Sequence, residues 1–197
     1  MNFSVFFIEI ARRAVERVRD NPGYNQPSIL EAVVFAWFSI EALLNEQAYI
    51  ETTQFGNGDA PVYSVLERGA GGFERIQAIL VYFYGQALKD GDHPANDLKH
   101  LGHLRNGIAH YRFEDPPART LDDLAQRGFI SKPDVPWSQN PFAWPSHVQA
   151  GLAGWAYNTA CDTARAIADL LPSDEAHEHE ASLIRHNFGG EVRPLSK

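Results

Sequence analysis

One short window of the sequence, residues 98–112, gathers side chains that are suited to acid–base and phosphate chemistry. It reads Leu-Lys-His-Leu-Gly-His-Leu-Arg-Asn-Gly-Ile-Ala-His-Tyr-Arg and carries a charge of +3, without any carboxylate, in a chain whose formal charge is −8. A histidine that titrates near neutrality acts as a general base or acid. An arginine stabilises negative charge that develops on a phosphate. The window therefore indicates phosphodiester chemistry by His110 and Arg105, with Asn106 to orient either side chain.

RNA is the substrate that this chemistry favours, because RNA supplies its own nucleophile, the 2′-hydroxyl group. His110 would remove the hydroxyl proton and Arg105 would stabilise the phosphorane, without a metal or a cofactor. On one helix, however, these two side chains project about 140° apart, so that a single copy does not bring them together easily. Two copies of the helix that face each other across a twofold axis would. The residues within about 60° of His110 on an outward face are Lys99, His103 and Asn106.

A strongly apolar helix predicted over residues 28–50 carries two polar residues in the middle of one apolar face, Glu41 and Asn45. A carboxylate in such a place is costly unless it is paired and hydrogen-bonded. Arg105 is well placed to meet Glu41. Composition and spacing alone favour a structural alternative, in which Arg105 pairs with Glu41 and His110 is hydrogen-bonded within the bundle.

The length of 197 residues and the 44% hydrophobic content predict one globular domain. A single core of that size buries roughly 70% of the surface of the unfolded chain. Because Cys161 is the only cysteine, we expect no structural disulfide within the chain and a cytoplasmic location. The first nine residues lack the basic region of a signal peptide, and we expect no membrane span. The acidic balance argues against a protein that coats nucleic acid with its whole surface.

Hydrophobic periodicity predicts a single all-α domain over residues 1–172, followed by a C-terminal tail over residues 173–197. The N-terminal helix covers residues 4–19 and lies outside the predicted bundle core. Four core helices are predicted over about residues 28–50, 73–89, 95–112 and 146–171.

Three serines mark predicted helix beginnings, because a serine side chain accepts a hydrogen bond from a free amide of the first turn. Ser4 is the predicted N-cap of the N-terminal helix, and Ser146 that of the last core helix. Ser28 is followed three residues later by Glu31, which is the spacing of a capping box.

A long connection over residues 113–145 holds six prolines, which exclude a continuous helix. The stretch from Thr120 to Arg127 is predicted to be a short helix that ends at Gly128. Aromatic side chains are expected to hold the remainder against the bundle, namely Trp137, Phe142 and Trp144. The connection is either a lid over the motif or a packed elaboration of the bundle, since connections of this length are unusual without a task.

Two histidines of the tail, His177 and His179, lie next to acidic residues. Residues two positions apart on a helix do not face each other, which argues against a shared metal ion. We therefore predict no metal site.

The motif resembles the Arg-x4–6-His signature of HEPN domains. Arg105 and His110 match its two ends, and Asn106 is the polar residue that commonly follows the arginine. The segment Ser39-Ile-Glu-Ala-Leu-Leu-Asn45 is similar to the first bundle helix of several HEPN groups. The likeness covers residues 28–112 by motif and residues 146–171 by helix order.

The resemblance implies an up-and-down bundle of four core helices and a homodimer whose two motifs share one cleft. Many HEPN proteins are metal-independent endoribonucleases that serve as toxins of toxin–antitoxin pairs or as anti-phage effectors. It implies an RNA substrate, an antitoxin protein as a partner, and catalysis by Arg105 and His110 with support from Asn106. Further supporting positions are Glu41, Asn45, Lys99, His103, Tyr111 and Arg112.

Two other functions remain open at this point. Some HEPN proteins keep the motif but only bind nucleotides or protein partners, which suggests a non-catalytic module. A structural or regulatory dimer would instead have a large interface away from the motif. The sequence also departs from the HEPN subgroup that is paired with nucleotidyltransferase antitoxins, because Tyr111 follows His110 directly rather than two residues later.

Overall fold

The computed structural model describes residues 2–21, 25–54, 56, 72–109, 116–139, 141–190 and 192. Within these ranges the chain forms seven α-helices, one 3-10 helix and no strand, which confirms the all-α class. The α-helices are α1 (Phe3–Asp20), α2 (Gln26–Thr53), α3 (Gly72–Tyr84), α4 (Ala95–Ala109), α5 (Ala118–Gln126), α6 (Gly151–Ala168) and α7 (Glu175–Asn187). The 3-10 helix spans Pro141–His147.

Helix α2 is the centre of the fold and contacts α1, α3, α4, α6 and the 3-10 helix. Its composition explains this position, because apolar residues occupy nearly every face of the helix. By length and hydropathy it is also the one helix in the described part of the chain that could cross a membrane. Half of that apolar stretch is buried inside the fold.

The beginning of α1 differs from the expectation, because Asn2 and not Ser4 is the N-cap. The Asn2 side chain accepts a hydrogen bond from Val5 N at 3.1 Å, whereas Ser4 is buried in the first turn. Glu46 of α2 explains the difference, since its Oε1 accepts hydrogen bonds from Phe3 N at 2.6 Å and from Ser4 N at 3.2 Å. Its Oε2 lies 2.7 Å from Ser4 Oγ. A carboxylate from another helix therefore satisfies the free amides of this helix end.

The predicted capping box at the start of α2 is wrong. The helix begins two residues earlier, at Gln26, with Pro27 in its first turn, a position that suits proline because no amide is needed there. Ser28 and Glu31 consequently lie inside the helix. Both contact Arg17 of α1, which lies 3.4 Å from Ser28 Oγ and 2.6 Å from Glu31 Oε2.

Helices α3 and α6 are both shorter than expected. Helix α3 ends at Tyr84, because Gly85 adopts a positive φ of 68° that terminates a helix, rather than near residue 89. Ser146 is not the cap of α6 but belongs to the 3-10 helix, where its hydroxyl donates to Ala143 O. Helix α6 begins only at Gly151.

The described part of the long connection is packed against the helical core. Helix α5 and its stop at Gly128, where φ is 78°, confirm the predicted short helix. Trp137 and Trp144 are buried, as expected for side chains that hold the connection in place. The side chain of Phe142 lies outside the described residues. A bridge between Ile130 and Val148 closes the segment into a loop.

The segment after residue 172 contains a helix that periodicity did not predict. Helix α7 begins after Asp174, whose side chain accepts a hydrogen bond from His177 N. The His177 ring is buried, with Nδ1 2.5 Å from Asp174 Oδ2 and Nε2 3.2 Å from Glu51 Oε1. His179, two positions further along the helix, is exposed. Phe188, just beyond the helix, is almost fully buried.

Candidate functional site

Helix α4 carries the motif and is pressed closely against α2. Its core-facing side chains Leu98, Leu101 and Leu104 are fully buried. Gly102 permits the close approach, because a Cβ atom there would lie 2.8 Å from the ring of Trp37. A Cβ atom at Gly72 of α3 would lie 2.5 Å from the same ring. The Trp37 ring thus fills the space between two glycines and fixes α4 relative to α2 and α3.

Arg105 lies half-buried beside α2. Its Nη1 donates a hydrogen bond to Asn106 Oδ1 at 3.0 Å, and its guanidinium group lies 5.2 Å from the ring centroid of Phe38. Its Nη2 is 3.8 Å from Glu41 Oε2, which confirms that Arg105 is the cation opposite Glu41. The two side chains are 22% and 29% exposed, so the carboxylate is less buried than its apolar neighbours led us to expect.

The ion pair leaves much of the Arg105 charge available. A separation of 3.8 Å is too long for a hydrogen bond, so the attraction to Glu41 is purely coulombic. Arg105 Nε is buried and has no hydrogen-bond partner among the described residues. A guanidinium group has five N–H donors, and the structure shows a partner for only one of them within the described ranges. Arg105 is therefore held in position without being saturated, and its Nη groups, not the enclosed Nε, are the donors that could bind an anion.

A second arginine, which sequence analysis missed, lies near this pair. Arg75 of α3 lines a small cleft together with Glu41 and Asn45. Asn45 is exposed and also borders a larger groove on the other side of α2. The periodicity of α3 gave no reason to select Arg75, because its place beside Glu41 depends on how two helices pack.

The remaining members of the predicted outward face have other surroundings. Lys99 Nζ lies 5.7 Å from the ring centroid of Phe73. The expectation that His103 turns outward is wrong, because α5 partly covers it and its Nδ1 lies 2.9 Å from Thr120 Oγ1. His100, a residue that we did not select, has its Nδ1 3.1 Å from the same hydroxyl. The two histidines thus share one hydroxyl group.

Burial lowers the pKa of both His100 and His103, and each also feels nearby charges. The negative charge of Asp123 partly offsets this effect, because it raises the pKa of His100. The neighbouring His100 and Lys99 lower the pKa of His103 further. The shared hydroxyl is compatible with two neutral rings, because it can donate its one proton to one Nδ1 and accept a hydrogen bond from the other.

These shifts predict that acid destabilises the protein. A histidine whose pKa is lowered by folding contributes stability above its unfolded value of about 6.5, and this stability is lost as the pH falls below it. The free energy of unfolding should therefore decrease from pH 7 to pH 5, by at most about 1.4 kcal/mol per pH unit for each histidine. Denaturant unfolding at a series of pH values measures the slope.

The double variant His100→Asn, His103→Asn should show a shallower dependence on pH, whereas the exposed His179→Asn variant should keep that of the wild type. Parallel curves for the wild type and the double variant would contradict the assignment.

The first turn of α4 is fixed by a buried carboxylate that sequence analysis also missed. Asp97 accepts two hydrogen bonds from Arg127, at 2.6 and 3.0 Å, and one from Trp155 Nε1 at 3.0 Å. Burial opposes ionisation of Asp97, but the hydrogen bonds from Arg127 and Trp155 outweigh it and lower its pKa. His93 bridges Asp97 to Asp162 of α6, at 3.5 and 2.9 Å. The motif helix is thus anchored at its start to α6 and to the end of α5.

Three predicted site residues, His110, Tyr111 and Arg112, lie outside the described residues. The structure therefore brings together Arg105, Asn106 and Glu41, and gives no geometry for the pair of Arg105 and His110. Further along, Pro116 packs against Gly107, where a Cβ atom would lie 2.7 Å from the proline ring. No group of three or more metal-ligating side chains is arranged for a metal ion within the described ranges.

Comparison with known proteins finds no matching family model, no matching curated protein and no matching solved structure.

Proposed function

We propose that this protein is a metal-independent endoribonuclease of the HEPN type that acts as a homodimer. Arg105 and His110 are the proposed catalytic residues, with Asn106 in support. The observation that carries the proposal is the state of Arg105, which is oriented by Asn106 and Phe38 but only loosely paired with Glu41. An arginine with a purely structural role would be expected to form close hydrogen bonds with its carboxylate partner.

The proposed reaction is transfer within the RNA chain. His110 removes the proton of a 2′-hydroxyl, whose oxygen attacks the adjacent phosphorus. The bond from phosphorus to the 5′-oxygen then breaks, and that oxygen takes up a proton from a general acid. The products are a 2′,3′-cyclic phosphate and a free 5′-hydroxyl. Arg105 stabilises the charge on the non-bridging oxygens of the phosphorane.

The ideal helical directions of the two side chains support a homodimer. Positions 105 and 110 on one helix project about 140° apart, so that the partner's His110 is needed opposite Arg105. The supporting positions in this proposal are Glu41, Asn45, Lys99 and Arg112, whose charged and amide groups would take part in binding the RNA. We propose that the cleft is active in the cytoplasm, as a toxin restrained by an antitoxin protein or as an anti-phage effector.

RNA cleavage in the presence of EDTA tests the proposal. The wild type should cleave a mixed-sequence RNA and leave cyclic phosphate ends, and His110→Ala should lose this activity while it keeps the helical circular dichroism signal. His179→Ala is the matched control, because this histidine is exposed on α7. Cleavage by His110→Ala at the wild-type rate would refute the proposal.

The same observation supports a second candidate function, a non-catalytic module that binds a nucleotide. An unsaturated arginine beside an asparagine can hold a phosphate without cleaving it. This alternative predicts no RNA cleavage by the wild type and nucleotide binding that is lost in Arg105→Ala.

A further inference from the structure

A cavity beside the start of α1 is lined by α2 from Ala42 onward; it shares Asn45 with the small cleft next to Glu41 and otherwise has a separate lining. It is a groove of about 680 Å³ formed by the start of α1, the second half of α2 and the last turns of α7. We call it the α1–α2–α7 groove. Its apolar lining is Phe3, Phe7, Ala42, Leu43, Tyr49, Ile50, Leu183, Ile184 and Phe188.

Large apolar side chains stand exposed around this groove. Phe3, Tyr49 and Leu183 line it and are 53%, 62% and 42% exposed. Phe6 is 48% exposed on the neighbouring surface of α1, outside the cavity itself. Aromatic and leucine side chains that cluster in this way on a surface mark a site of association. A small molecule inside the cavity would leave Phe6 uncovered, so the apolar surface favours a protein segment as the occupant.

The groove is also acidic. Glu46 and Glu180 contribute carboxylates to its lining, and no lysine, arginine or histidine is found among its described lining residues. Glu46 accepts hydrogen bonds from the start of α1, and Glu180 Oε1 accepts one from Gln47 at 2.9 Å. Each carboxylate has about four acceptor sites, so both retain capacity for a cation. The charge of the groove thus complements a basic partner.

The same charge argues against a second copy of this chain. A twofold contact places the same surface of both copies against itself. Such a contact here would bring two acidic linings together, without a cation among the described lining residues to compensate. The occupant must therefore differ from the groove in charge.

We propose that the α1–α2–α7 groove binds an amphipathic helix of a partner protein, with apolar residues on one face and at least one lysine or arginine. The lining residues of α2 span positions 42–50, which corresponds to roughly 12 Å of helix and to contacts at spacing i, i+3 or i+4, and i+7. The apolar face would cover Phe3, Tyr49 and Leu183, and the cation would meet Glu46 or Glu180. This binding does not depend on the proposed nuclease activity.

Selection from displayed random peptides of about twelve residues, with the full chain as the target, tests the proposal. The selected peptides should share apolar residues at helical spacing and a basic residue. In fluorescence anisotropy, Leu183→Ser should weaken the binding of a selected peptide by about tenfold or more. Val81→Ser is the matched control, because Val81 is similarly exposed on α3, outside the groove. Glu180→Gln should weaken binding in low salt more than in high salt.

Three outcomes would overturn the proposal. The first is a selection that yields no peptide whose binding depends on Leu183. The second is a set of selected peptides that are acidic rather than basic. The third is a change of oligomeric state in Leu183→Ser on sedimentation, which would show that a second copy occupies the groove.

Discussion

Replacement of Arg105 by alanine is expected to slow metal-independent RNA cleavage by about 10²–10³-fold, the usual cost of one donor to a developing oxyanion. The protein should stay folded. The contact with Glu41 is partly exposed and contributes at most about 1 kcal/mol, and the contact with the Phe38 ring contributes roughly as much. The rate of cleavage in EDTA and the midpoint of denaturant unfolding, measured on the same preparation, separate these two effects.

Three further variants test whether the loss of activity is specific to the Arg105 guanidinium group. Arg105→Lys keeps the charge but loses the planar group that binds a phosphate through two hydrogen bonds, so its activity should be intermediate. Glu41→Gln should cleave within about threefold of the wild type, because the pair is loose. Arg13→Ala, an exposed arginine of α1, serves as the control for a general loss of positive charge. Full activity of Arg105→Ala would exclude a catalytic role for this arginine.

Replacement of Trp37 by alanine is expected to lower the free energy of unfolding by about 3–5 kcal/mol, because it leaves a large cavity between three helices. Gly102→Ala should lower the free energy of unfolding by about 1–3 kcal/mol through overcrowding, since its Cβ atom would lie 2.8 Å from the indole ring. Trp37→Phe should be much milder than Trp37→Ala. The indole Nε1 has no hydrogen-bond partner among the described residues, so its removal forfeits no bond seen in the structure.

The double variant Trp37→Phe, Gly102→Ala distinguishes packing from other causes. A smaller ring leaves room for the added methyl group, so the double variant should be more stable than the sum of the two single effects predicts. Denaturant unfolding of the four proteins gives the coupling free energy. Strict additivity would mean that the glycine and the ring do not compete for the same space.

The sequence predicts the elements whose signal is local. Helix α2 is recognisable because it is apolar on nearly every face, and the polar residue Glu41 within it indicated a cation on a neighbouring helix. Arg105 could be chosen as that cation from its position beside the apolar stripe of α4, and the contact is confirmed. The short helix α5 was predictable from Gly128, whose φ of 78° ends it.

Other features depend on contacts that a single segment does not reveal. Ser4 has the right chemistry for a cap, but Glu46 from another helix takes part in binding the free amides. His103 has the spacing of an outward residue, but Thr120 and α5 cover it. Helix α7 was missed although its buried residues have helical spacing, because only one of them is a large apolar side chain, namely Ile184 beside His177 and Ala181. Whether each of these side chains is buried depends on the helices that pack against it.

The contact between His177 and Glu51 has a consequence for the order in which the chain assembles. These residues are separated by 126 positions, so in an unfolded chain their encounter would have to close a very long loop. Once α6 has docked on α2, only residues 169–174 separate its end from the start of α7. The entropy of closure is then small, and a few polar contacts, such as those of His177 with Glu51 and of Glu180 with Gln47, are sufficient with a few apolar side chains to hold the helix. Helix α7 is thus expected to join the structure after α6, as a late step of folding.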